Sequence, residues 1–261
     1  MVHLKVAVIG CGAWGYQHAR VYSELPDIGL EAVVDINPKR IKRTTSMFHC
    51  KGYTSIERML EETEADAVSI CTPTATHLDI GLEVLSAGKH VYCEKPLSTS
   101  LPESRKLLDA AKNAGAMHRI GYNFHFFPTF RKLKQIVSDG ALGELTYVKA
   151  TGYSSEVVRP ERPEEKRNRE ERFGFYGAVG VHALELMLWY AGSVDSVVAM
   201  TKKRYSSSLN DFIAAACSFK CGAHGVIDFT WSHHGYENPF IEIRLSGTNG
   251  TATADTDRIR L

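Results

Sequence analysis

The chain reads as an α/β fold: a doubly wound parallel sheet over residues 1–122, then an α+β unit with a largely antiparallel open sheet over residues 123–261. Three observations predict this. Short apolar runs alternate with amphipathic helical patterns as far as Tyr122, the mark of βαβ units. The first of these runs passes directly into a glycine turn and a helix. After Tyr122, extended runs follow one another with few helices between them, as in an antiparallel sheet.

Leu4 to Ile9 is the first strand, and it feeds Gly10-Cys11-Gly12-Ala13-Trp14-Gly15, a G-x-G-x-x-G turn. Gly10 permits the tight turn, Gly12 lets a pyrophosphate approach the backbone, and Gly15 lets the next helix lie close on the strand. The free N–H groups of that helix then hold the anion. Three glycines alone are a weak sign, and the next two elements give them their meaning. A helix over Tyr16 to Leu25 leads to a strand over Leu30 to Asp35. Asp35 stands twenty residues beyond Gly15, where a carboxylate meets the adenosine ribose 2′-hydroxyl. The pattern is that of an N-terminal Rossmann dinucleotide site, with Ala13 and Trp14 in its loop. Asp35 favours NAD over NADP because a carboxylate repels a 2′-phosphate, although Lys39 and Arg40 are near enough in sequence to reach one.

Further strands are expected at Ala67 to Cys71, His90 to Cys93 and His118 to Tyr122, separated by helices at Asp79 to Ala87 and Ser104 to Ala114. Gly88 and Gly115 fall just past those helices, where a left-handed cap is needed. In the second half a helix over Thr129 to Ser138 precedes strands at Leu145 to Tyr153, Val194 to Thr201, Phe212 to Phe219, Ala223 to Trp231, Phe240 to Leu245 and Thr251 to Ala254, with one later helix at His182 to Ala191. The segment Arg159 to Arg172 mixes charges with two prolines. It reads as a solvated loop, or as a lid whose arginines hold a phosphate or diphosphate of the substrate.

Composition narrows the partners. Of 261 residues, 44% are hydrophobic and 23% charged, with a formal net charge of +1, so neither nucleic acid nor a charged membrane surface is expected as a partner. No apolar run nears the roughly 20 residues of a membrane span. The first residues show no charged leader or cleavage site, which points to the cytoplasm. Six cysteines without a C-x-x-C pair read as reduced, mostly buried thiols. Cys217 and Cys221, four apart on what reads as one face of an extended segment, lack a second pair for tetrahedral ligation, and His233-His234 would point to opposite faces of a strand; no metal site is expected.

The third strand ends in CTPTATH (residues 71–77) and the fourth in Cys93-Glu94-Lys95-Pro96, both at the carboxyl edge of the parallel sheet. With GCGAWG and Asp35, GKHVYCEKPL, GYNFHFFPTF, GALGEL, VGVHALELMLWYAG and SGTNGTATAD, nearly the whole chain resembles the glucose-fructose oxidoreductase / inositol dehydrogenase (Gfo/Idh/MocA) family. The stretch His18 to Leu25 is similar to members that oxidise position 3 of UDP-N-acetylglucosamine. The resemblance implies an NAD-dependent oxidoreductase moving a hydride between nicotinamide and a secondary alcohol of a sugar, nucleotide sugar or cyclitol. It implies that Lys95 lies beside the nicotinamide and donates to the reacting oxygen. Hydride loss from a carbinol carbon is easier as the hydroxyl proton departs, so the site needs a base, for which His182 is the natural candidate. Cofactor contacts are then expected from Gly10, Gly12, Ala13, Trp14, Gly15, Asp35, Thr72, Pro73, His77, Glu94, Lys95 and Asn123. Substrate contacts are expected from Lys95, Tyr122, His125, His182 and Glu185. A homodimer or homotetramer, built on the sheet of the second domain, is also implied.

The chain departs from the family pattern at four positions. The Asp that members carry four residues before the histidine is Ala178; the Asp three residues after it is Glu185; an Arg position is His125; and an Asn or Asp position is Phe127. The pocket is therefore less charged and more aromatic. Ala178 leaves open a non-catalytic NAD-binding sensor, and the aromatic His125 to Phe127 stretch leaves open a non-sugar substrate. Members also continue several dozen residues past the segment matching Ser246 to Asp255, so either the second domain is naturally short here or part of it is missing.

Overall fold

A computed structural model describes residues 4–155, 158, 180–205, 210–236 and 238–261. Ala178 and the charged segment Arg159 to Arg172 lie outside the described residues. The chain divides into two units, Met1–Gly121 and Tyr122–Leu261, so that Tyr122 goes with the second.

The first unit runs β1 (Leu4–Ile9), α1 (Ala13–Glu24), β2 (Ile28–Val34), α2 (Pro38–Phe48), β3 (Lys51–Tyr53), α3 (Ile56–Glu62), β4 (Ala67–Ile70), a 3-10 turn (Thr74–Thr76), α4 (His77–Ser86), β5 (His90–Cys93), α5 (Leu101–Asn113) and β6 (His118–Ile120). Its six-stranded sheet has the order β3-β2-β1-β4-β5-β6, parallel throughout. The central strands β1 and β4 read as nearly continuous apolar runs because both their faces are covered. Ala7 and Ile9 enter one core with Val68 and Ile70, while Val8 enters another with Ala19 and Val33. Gly88 and Gly115 adopt positive φ of 71° and 61°, as their cap positions require.

α2, α3 and β3 are additions to the elements expected from sequence. α2 is capped by Asn37, whose side chain accepts from the Lys39 N–H, with Pro38 at its first position. Thr44 is buried, and Ile41, Thr45 and Phe48 on the same face are half-buried, so the helix is amphipathic with two threonines in its inward stripe.

The second unit runs from a 3-10 turn (Asn123–Phe126) through α6 (Pro128–Ser138), β7 (Leu145–Tyr153), α7 (Val181–Ala191), β8 (Val194–Lys202), β9 (Phe212–Phe219), β10 (His224–Thr230), β11 (Phe240–Gly247) and β12 (Thr251–Asp255) to β13 (Ile259–Arg260). The sheet order is β13-β12-β11-β7-β10-β9-β8; β7 and β10 pair parallel and every other neighbour antiparallel. One face is core: Val148, Ala150, Ile213, Ile227, Ile241, Ile243 and Leu245 bury against Phe130, Leu133, Leu186 and Met187 of the two helices. Full burial of each large apolar side chain contributes roughly 1.5–3 kcal/mol. β9 shows the consequence in its alternation of exposed and buried positions, since only one face is covered.

Two sequence expectations change here. Cys217 is buried in β9, but the strand stops at Phe219 and Cys221 lies exposed in the turn, so the two share no strand face. His233 and His234 follow the end of β10 in a loop. Among the described residues no helix is long and apolar enough to cross a membrane.

Candidate active site

In the first unit the ends of four adjacent strands lie side by side. The Cys71 N–H donates to Ile9 O, the Glu94 N–H to Ile70 O and the Gly121 N–H to Cys93 O, at 2.8–2.9 Å. The glycine loop, the 72–77 loop and the Glu-Lys-Pro loop therefore share one carboxyl edge, where open α/β sheets bind ligands.

Each glycine of the loop has a different physical need. Gly10 has φ +94°, and a Cβ there would lie 2.8 Å from Cys71 O. At Gly15 a Cβ would overlap Gly10 O, so that position is set by helix against strand. Around Gly12 nothing lies within 4 Å of a Cβ position, which leaves an open cradle at the N-cap of α1. The exposed Ala13 and Trp14 form the first turn above it. A pyrophosphate fits such a space, and a Cβ would intrude on it.

Asp35 is buried just past β2, with Oδ2 accepting the Cys11 N–H at 2.7 Å and Oδ1 accepting the Asn37 N–H at 2.8 Å. A carboxylate offers about four acceptor sites, so lone pairs remain for ribose hydroxyls. Arg40 Nη1 stands 3.8 Å from Asp35 Oδ2. Arg43, which carries no signal in the sequence, donates to Cys11 O at 3.2 Å and lies 4.5 Å above the Tyr16 ring, stiffening the loop.

Thr72 and Pro73 sit on the adjacent loop, Thr72 half-buried and Pro73 exposed. His77 departs from the expectation of a cofactor ligand. It is buried, with Nε2 2.9 Å from Thr72 O and Nδ1 3.0 Å from Pro96 O. Both ring nitrogens face backbone carbonyls, so His77 ties the two loops together and shapes the edge without lining it. Glu94 and Lys95 are half-buried, and the Lys95–Pro96 peptide is cis. The Lys95 N–H donates to Glu94 Oε2 at 3.2 Å.

The expected substrate residues all belong to the second unit except Lys95. His182, at the start of α7, is buried, with its ring edge-on to Tyr122 at 6.2 Å and tilted against Phe124 at 4.5 Å. Glu185 lies one turn along the same helix face. Its Oε2 meets His125 Nε2 at 2.5 Å, off the line a hydrogen bond needs, so neither group fully offsets the other's loss of water. Burial raises the Glu185 carboxyl to about 7. Burial, and secondarily Lys134, lowers the His125 imidazole. Both shifts favour the uncharged forms, Glu185 as the acid and His125 as the neutral imidazole. His125 also stacks on Trp189 at 4.1 Å, an aromatic floor absent from the sequence reading. Asn123 is exposed at the start of its 3-10 turn.

Residues 4–122 match the family model described as an oxidoreductase family with an NAD-binding Rossmann fold, and residues 130–253 match the GFO/IDH/MocA C-terminal domain. The chain belongs to the Gfo/Idh/MocA oxidoreductase family. It is 32% identical over 263 residues to the uncharacterised oxidoreductase YrbE of Bacillus subtilis (strain 168), covering 98% of this chain and 74% of that one. It is 27% identical over 263 residues to the myo-inositol 2-dehydrogenase of Thermotoga maritima, covering 98% and 76%. Among solved structures, GenD2 from gentamicin A biosynthesis, in complex with NAD, superposes with a TM-score of 0.87 at 29% identity, covering 98% of this chain and 73% of that one. This Gfo/Idh/MocA protein is an NAD-dependent oxidoreductase of CH–OH groups, and the open cradle at Gly12 with the Asp35 carboxylate fits NAD.

Proposed function

We propose that this Gfo/Idh/MocA protein transfers a hydride at a secondary alcohol of a sugar, nucleotide sugar or cyclitol, with Lys95 as the cation at the reacting oxygen and His182 as the base. When bound, NAD supplies the hydride acceptor. Gly10, Gly12, Ala13, Trp14, Gly15 and Asp35 hold its phosphates and adenosine ribose; Thr72, Pro73, Glu94 and Asn123 complete the contacts. Lys95 stabilises alkoxide character on the substrate oxygen while His182 takes the hydroxyl proton. Burial raises the Tyr122 phenol, which keeps it a hydrogen-bond donor near neutral pH. Tyr122, His125 and Glu185 offer a donor, a ring and a carboxyl that is half-ionised near pH 7, a set suited to hydroxyl groups.

The observation that carries this reading is the shared sheet edge, where Glu94 anchors the Lys95 peptide on the same row as the Gly10 turn. A cyclitol dehydrogenase among the relatives supports the substrate class. All six cysteines are free, which supports a reducing compartment such as the cytoplasm. The open sheet face, with Val198 and Met200 exposed on edge strand β8, supports a homodimer or homotetramer.

The test is a panel of myo-inositol, UDP-N-acetylglucosamine and glucose 6-phosphate followed at the NADH absorbance, with wild type and Lys95→Ala. Loss of a stabilising group of this kind lowers kcat by about 100- to 1,000-fold. Turnover of Lys95→Ala within a few fold of wild type would refute the role of Lys95. Absence of NAD reduction across the panel, with NADH still bound, would refute the substrate class.

A further inference from the structure

Behind Lys95 a run of buried polar side chains joins three elements of the first unit. Glu94 Oε2 accepts the Lys95 N–H at 3.2 Å, and Oε1 lies 3.1 Å from His18 Nε2. His18 Nδ1 lies 2.8 Å from Ser69 Oγ, and the Tyr22 hydroxyl donates to the same Oγ at 3.4 Å. His18 and Tyr22 come from α1, Ser69 from β4, and Glu94 from the end of β5. The side chains of His18 and Glu94 are only 15% and 14% exposed, so water does little to replace a lost partner. The Tyr92 ring packs on His18 at 5.4 Å, and at Gly121 a Cβ would come within 2.9–3.1 Å of the Glu94 carboxyl group. The carboxylate is thus boxed in on several sides.

The donor order follows from the chemistry. A carboxylate oxygen facing His18 Nε2 requires a proton on that nitrogen, since two lone pairs would repel. Ser69 can then donate to Nδ1 while accepting from Tyr22. Every link has a donor and an acceptor.

We propose that His18 is a positioning residue for hydride transfer, holding Glu94 in the one orientation that pins the Lys95 peptide and so aims the Lys95 ammonium. The proposal rests on the catalytic reading of Lys95 given above. It assigns a use to the histidine one turn after Gly15 that phosphate binding does not need.

The alternative, that His18 merely fills the space between α1 and the sheet, is separated by two substitutions. Gln places its amide nitrogen near Nε2 and keeps the donor to Glu94. Asn reaches only the Nδ1 position and loses it. In apoprotein labelled with 15N-lysine, amide exchange at Lys95 is expected to accelerate about tenfold or more in His18→Ala and His18→Asn and to stay near the wild-type rate in His18→Gln. With NAD and the best substrate of the panel, kcat is expected to fall about 10- to 100-fold in the Ala and Asn variants, with KM and the NADH Kd within about threefold, and to recover in Gln. Equal impairment of Gln and Ala, or a Lys95 amide indifferent to Asn, would overturn the proposal. If the Ala variant does not fold, the Gln and Asn pair decides. The exchange measurement needs no turnover, so failure of the catalytic reading and failure of this proposal are read separately.

Discussion

Replacing Glu185 with Gln should stabilise the second unit at alkaline pH and leave it nearly unchanged at acid pH. In the folded chain, burial moves the carboxyl from its ordinary 4.5 to about 7. Below pH 4.5 the group is protonated in both folded and unfolded chains and has no effect on the balance. Between pH 4.5 and 7 the unfolded chain releases its proton while the folded chain keeps it, so stability falls as pH rises. Above pH 7 the loss is complete, about 3 kcal/mol in order of magnitude. Gln is isosteric with the neutral acid and carries no such penalty. The Tm of Glu185→Gln should therefore exceed wild type by roughly 5–10 °C at pH 8 and by little at pH 5. The second unit can be followed by the fluorescence of Trp189 and Trp231 in thermal melts at the two pH values. A Tm difference that is the same at both would mean that Glu185 ionises in the folded chain as readily as in the unfolded one, which would refute the effect of burial on its carboxyl.

Gly12→Ala should fold with an unchanged Tm and bind NADH at least about tenfold more weakly by fluorescence titration, because the added methyl enters the open cradle. Gly15→Ala should instead lose about 3 kcal/mol or more, since its methyl overlaps Gly10 O; equal Tm for the two variants would contradict this division of roles. Asp35→Ser should weaken NADH binding about tenfold and narrow its preference over NADPH, because the acceptor for ribose is lost and Arg40 is left without its carboxylate neighbour. An unchanged NADH to NADPH ratio of Kd values would remove Asp35 from the ribose site.

The legible parts of the fold are those with strong local patterns. β1, the glycine turn and α1 can be read because apolar residues buried on both faces, then three glycines, have few other uses. β9 can be read because one covered face imposes a period of two. α2 is hard to read because two of the four positions on its inward face, Thr44 and Thr45, are threonines, so the apolar signal rests on Ile41 and Phe48 alone. β3 is three residues, Lys-Gly-Tyr, whose strand state depends on pairing with β2. The places of Asp35 just past β2 and of Lys95 just past β5 are legible from spacing and motif. His77 has the loop position of a cofactor ligand, but its ring is spent on the carbonyls of Thr72 and Pro96. His18 and Trp189 give no sign of their roles, since a histidine or tryptophan on a helix carries no mark of the partner it meets from another element.

By itself the sequence determined the phosphate loop, the preference for NAD and the family, because these rest on residues within one short segment or on motifs in fixed order along the chain. Tertiary structure alone decided which polar groups are spent and which are left. The raised Glu185 carboxyl depends on its burial, the use of His77 on two carbonyls from separate loops, and the aim of Lys95 on a histidine from α1. Desolvation and hydrogen-bond geometry are properties of the space around a side chain, and that space is created only when distant segments meet.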